Sequence, residues 1–222
     1  MTAIVSLSSR ISSAQVLLML DACTAQIKED YAPAWGVVPR VPEFYMRQED
    51  VPSGVPLIVL LDQGDVPGAA GWHTQDGDGR VTGVVVVGAL LDAGFTYTDG
   101  ANSISCVMSH ELLEADQDPW VDYWVDMLDG QQDAFELCDR VQGNSYVKNG
   151  VAVSDFLLPT AFDGRPPAGS KFDFLGVLSS PFEIAQGGYA VRRAKDGTTS
   201  QVGERNAAKV HEMSRSTRRQ GR

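Results

Sequence analysis

Long apolar runs are missing from this chain, and so is anything resembling an export signal. The run from Val16 to Leu20 is five residues long and is closed by Asp21, whereas a membrane helix needs ~18 apolar residues. No membrane partner is expected. Cysteine is scarce: Cys23, Cys106 and Cys138 are an odd number at irregular spacing. That excludes a disulfide framework and favours a reducing compartment. A glycine-rich phosphate loop is absent. Lysine and arginine vanish between Glu111 and Asp139, where ten acids stand without a base.

What is present suffices for one sizeable core, since 43% of the 222 residues are hydrophobic. The net charge of −11 is unevenly placed. Residues 192–222 carry net +6, so the rest of the chain carries net −17. The expected organisation is a single domain over 1–193 and a basic, flexible tail over 194–222. Such a tail becomes ordered against an acidic protein surface or nucleic acid, or simply stays solvated.

Ser12 or Ser13 reads as the cap of a first helix, with Val16, Leu20, Cys23 and Ile27 on one face. Prolines and Gly36 make 31–54 an irregular connection. Val55 to Leu61 and Val81 to Val87 read as strands, with turn chemistry at Asp76-Gly77-Asp78-Gly79 between them. A second helix spans Ser103 to Gln117, because Pro119 disfavours helical geometry at Asp118. Trp120 to Leu128 suggests a short amphipathic turn or helix. Asn149-Gly150 marks a hairpin, and Gly187-Gly188 marks another between 182–185 and 189–192.

The second helix carries the chemistry. Ile104, Val107, Met108, Leu112 and Ala115 share one face, and His110, Glu111, Glu114 and Gln117 the other. Residues four apart lie one turn apart on the same face. His110 and Glu114 can therefore aim an imidazole nitrogen and a carboxylate oxygen at one ion, with Glu111 beside them to take a proton from water. This is the His-Glu-x-x-His helix of zinc peptidases with Glu in place of the second His. The plain alternative is a solvated polar face, which also accounts for most of the ten acids individually.

For a third ligand, Asp118 lies about 12 Å further along the helix than His110 and joins it only if the chain folds back at Pro119. Glu136 is favoured, with Asp139 as a partner that orients a ligand. His73, read as following a strand end, is a ligand, an oxyanion donor or a turn residue, the last preferred. Asp76-x-Asp78-Gly79 fails as a calcium loop because Val87 stands where an EF-hand needs Glu. Cys138 reads as a buried thiol.

Ser109-His110-Glu111-Leu112-Leu113-Glu114 with Asp118-Pro119 and the later Glu136 resembles the plant Exordium (phosphate-induced) proteins. Their later element is Glu-x-x-Asp-x-Cys, whereas here it is Glu136-Leu137-Cys138-Asp139, so Glu136 carries over more safely than Asp139. The stretch from about Tyr31 to Arg192 is also similar to uncharacterised proteins of tailed bacteriophages and prophages. Ala32-Pro33-Ala34-Trp35-Gly36, Gly71-Trp72-His73, the His110 helix and Val153-Ser154-Asp155-Phe156 are among the matching pieces. These resemblances imply a zincin-like α+β fold: a metal-bearing helix beside a small mixed sheet, with hairpins in the C-terminal half. The second resemblance implies a phage setting, in the host cytoplasm or in the virion.

The expected function is a zinc-dependent, metallopeptidase-like activity on a peptide or protein. His110, Glu114 and Glu136 hold the ion and Glu111 is the general base. Carboxylate in place of the second His hardens the site, so calcium and manganese stay open as the metal. The alternative is a non-catalytic capsid, neck or tail accessory component that keeps the fold and contacts phage structural proteins.

Overall fold

Aliphatic runs without polar alternation need cover on both faces. The computed structural model, which describes residues 1–66, 69–75 and 79–203, gathers them into a central sheet. Its strands are β1 (Thr2–Ser6), β2 (Pro42–Tyr45), β3 (Leu57–Leu61), β4 (Gly71–Gln75) and β5 (Val81–Val86), in the order β2-β1-β3-β5-β4. All pairings are parallel except the last, where β4 lies antiparallel to β5 at the edge. Helices α1 (Ser13–Gln26), α2 (Ala32–Trp35), α3 (Val87–Asp92) and α4 (Ile104–Gln117) connect and follow these strands. Among the described residues no helix is long and apolar enough to cross a membrane.

Local chemistry sets the helix ends. The Oγ of Ser12 accepts the Gln15 N–H at 3.3 Å, and Gln15 Oε1 accepts the Ser12 N–H at 2.9 Å. Such a reciprocal cap contributes about 1 kcal/mol. Ser103 Oγ caps α4 by accepting the Cys106 N–H at 3.2 Å. Beyond α4 come β6 (Trp124–Asp126), β7 (Gln132–Ala134), β8 (Ser145–Lys148), β9 (Val151–Ser154), β10 (Tyr189–Arg193) and β11 (Thr199–Gly203). The β8–β9 hairpin turns at Asn149 and Gly150, both with positive φ (48° and 78°), as a type I′ turn requires.

α4 is sandwiched between β4 and β5 on one side and β9 on the other. Its apolar residues Val107, Met108, Leu112 and Ala115 join Val16, Met19, Ile58, Val85 and Val153 in the main core. Each large aliphatic buried there contributes roughly 1.5–3 kcal/mol. The opposite face is covered too, so every residue from Ile104 to Ala115 is buried. A solvated polar face is therefore not what this helix presents.

Four sequence expectations change. Residues 31–54 contain α2 and β2, and Pro42 is tolerated because β2 is an edge strand. Residues 124–126 are extended, not helical, because Asp129-Gly130 turns the chain and lets β6 pair with β7. No hairpin forms at Gly187-Gly188: β10 instead pairs with β7 and β11 in the sheet β11-β10-β7-β6. Asp133 of β7 attracts Arg192 of β10 at 3.1 Å. Finally, β11 carries the domain to Gly203, past the boundary at 193. The remainder of the expected tail, 204–222, and the turn at 76–78 lie outside the described residues.

Candidate metal centre

Helical spacing alone brings His110 and Glu114 together: Glu114 Oε2 lies 3.0 Å from His110 Nε2. The other Glu114 oxygen, Oε1, accepts the Cys138 N–H at 3.1 Å, which fixes the carboxylate's rotation. Asp118 does something else. It stops the helix, and its carboxylate accepts the Asp122 N–H at 3.2 Å, shaping the reversal after Pro119.

His73 is not a turn residue; it sits inside β4, facing α4. Its Nδ1 lies 3.5 Å from Glu111 Oε2 and 3.6 Å from Glu114 Oε2, and its Nε2 lies 3.9 Å from Glu136 Oε2. Glu136 therefore faces the other nitrogen of the His73 ring from Glu111 and Glu114. Asp139 lies 3.1 Å from His110 Nε2, and the Tyr189 hydroxyl donates to the same Asp139 oxygen at 2.6 Å. Asp139 begins a short 3-10 turn, Asp139–Val141, whose Arg140 is buried against Asp133 at 3.5 Å and stacks over Phe162 at 4.5 Å. This buried cation, enclosed by β7 and aromatic rings, anchors the turn that presents Asp139.

Among the described residues, two groups bring metal-ligating atoms within 4.8 Å of one another: His110, Glu114 and Cys138, and His73, Glu111 and Glu114. All five side chains are buried. Asp118, Glu136 and Asp139 belong to neither group. Sequence reasoning passed over Cys138 as a ligand and Tyr189 altogether. The only signal for Cys138 was its place between Glu136 and Asp139, and Tyr189 gave none.

The close approach of α4 to the sheet depends on Gly71. A Cβ there would stand 2.7 Å from Val107 Cγ1 and 2.8 Å from Glu111 Oε1. Gly71→Ala should therefore cost about 1–3 kcal/mol through overpacking and displace the Glu111 carboxylate. Thermal melts with and without added zinc check both effects: an unchanged melting temperature and an unchanged zinc response would show that the contact is slack.

Fold and site together define a mixed α+β protein with buried His, Glu and Cys groups able to hold a metal ion. No family model matches the chain, and no curated protein or solved structure matches it either.

Proposed function

We propose that the chain is a zinc-binding, metallopeptidase-like protein of the zincin type, with the ion held by His110, Glu114 and Cys138. The observation that carries this reading is the convergence of His110, Glu111 and Glu114 from one buried helix face with Cys138 and His73 from other elements. The donor set fits the ion: imidazole, carboxylate and thiol suit zinc, whereas calcium and manganese favour all-oxygen or oxygen-rich sites. Bound there, a divalent ion would supply Lewis-acid polarisation of a peptide carbonyl and a more acidic water. The chain's own residues supply the proton path and the alignment. Glu111 takes the proton of the attacking water and returns it to the leaving amine. His73 holds the Glu111 carboxylate in place, and Asp139, itself held by Tyr189, lies 3.1 Å from the same His110 nitrogen that faces Glu114 and so borders the ion.

Glu111→Gln separates chemistry from structure. The variant should retain the fold and the ion held by His110 while hydrolysis of a broad peptide library falls by at least about 100-fold, the scale of a lost general base. Undiminished turnover by Glu111→Gln would remove Glu111 from the mechanism.

One observation favours a second reading. The candidate ligands are almost wholly enclosed, with His110 2% exposed and His73, Glu111, Glu114 and Cys138 at 0%. One cavity lined by His110 among the described residues has a volume of about 10 Å³, room for about one water. Structural metal sites are closed, while catalytic ones keep an open position. On this reading the chain is a non-catalytic virion component in which the ion stiffens the fold. The phage setting itself is carried by resemblance alone. Retention of zinc without turnover on any peptide would favour the structural reading.

A further inference from the structure

Glu114 belongs to both metal-competent groups at once. The same oxygen, Oε2, lies 3.0 Å from His110 Nε2 and 3.6 Å from His73 Nδ1. Yet among the described residues no group of ligand atoms contains both imidazoles. His73 and Glu111 thus form, with Glu114, a second group that an ion seated with His110 and Cys138 does not use.

We propose that the centre takes two divalent cations. The first is held by His110, Glu114 and Cys138, and the second by His73, Glu111 and Glu114, so that the Glu114 carboxylate bridges them. The first ion is the one on which the proposed function rests. The second goes beyond it.

Charge argues for the second ion as strongly as geometry does. Glu111, Glu114, Glu136 and Asp139 all lie within 3.9 Å of one or other imidazole, and all are buried. Carboxylates gathered in a buried place repel one another, and a shared cation relieves that repulsion. Against four carboxylates and the Cys138 thiolate, one divalent ion leaves about three negative charges and two ions leave about one. A carboxylate shared between two cations is also a workable bridge, since each of its oxygens has more than one lone pair to offer.

The two loci differ in softness. The first combines thiolate, imidazole and carboxylate, which selects zinc; the second has one imidazole and two carboxylates, which also accommodates manganese. Occupation of the second locus makes Glu111 a ligand, so proton transfer by Glu111 belongs to the singly loaded chain.

The test is a zinc titration of the metal-free full-length chain by calorimetry, with elemental analysis after gel filtration. Wild type should hold two ions. Glu111→Gln, which preserves shape, and His73→Ala should each hold one, with the affinity of the first step changed by less than about threefold. One ion per wild-type chain would overturn the second locus and leave the proposed function standing. No ion at all would overturn both. Two ions retained in both variants would place the second ion elsewhere and overturn this assignment. Manganese-loaded wild type gives an independent readout: exchange coupling in its electron paramagnetic resonance spectrum is expected, and signals of isolated ions only would count against a shared carboxylate.

Discussion

His110→Ala should abolish zinc binding at the locus shared with Glu114 and Cys138 and remove the thermal stability which that ion supplies. An ion that binds the folded chain and not the unfolded one stabilises it by about 4 kcal/mol when free metal exceeds Kd by ~1,000-fold. In a chain of this size each kcal/mol corresponds to roughly 2–4 °C of melting temperature. The zinc-loaded wild type should therefore melt roughly 8–16 °C above the same protein in chelator. The variant should lose the part of this shift that the first ion supplies, because His110 is the imidazole of the group that also contains Glu114 and Cys138. The comparison is between shifts, so any packing lost with the imidazole cancels. A wild type indifferent to zinc and chelator would sink the metal centre, and a full shift surviving in His110→Ala would remove His110 from the ligands.

The helix bearing this residue was legible because its signals are local. Ser103, the 3.6-residue spacing of Ile104, Val107, Met108 and Leu112, and Pro119 all lie within one segment, and α4 runs from Ile104 to Gln117. β3 and β5 were equally plain as continuous apolar runs. What could not be read was the cover over the polar face of α4. That cover is β4, whose five residues Gly-Trp-His-Thr-Gln have no apolar alternation to announce a strand. His73 consequently read as a turn residue, although β4 places it against Glu111 and Glu114. β6 and β7 have three residues each, too few for a period of two to show. Tyr189 reaches Asp139 only because β10 packs beside the turn that follows Cys138. Contacts of that kind are set by tertiary pairing, and no spacing along the chain encodes them.

Stability should fall as pH rises from about 4 to about 8, and Asp155→Asn should remove much of that fall. Asp155 is fully buried beside Asp173. Burial, then the negative charge of Asp173, then the hydrogen bond between the two carboxyls push Asp155 up to about 8. Its Oδ1 accepts the Phe156 and Leu175 N–H groups at 2.8 and 3.1 Å. Asp173 in turn accepts from the N–H groups of Gly176, Val177 and Leu178. A proton on Asp155 thus serves as the donor between two acceptors that close the 173–178 loop. Below the unfolded value near 4 both states of the chain carry that proton, and the contribution to stability is complete. Between about 4 and 8 the unfolded chain releases it while the folded chain keeps it, so stability declines. Above about 8 the folded chain loses it too. Four pKa units at 1.36 kcal/mol each set the scale at roughly 5 kcal/mol. Asparagine keeps an oxygen for Phe156 and Leu175 and offers an amide N–H to Asp173 at every pH. Denaturant melts at pH 5 and pH 8.5 should therefore find Asp155→Asn close to wild type at the lower pH and several kcal/mol more stable at the higher. Parallel pH profiles for the two proteins would show that Asp155 ionises in the folded chain much as it does in water.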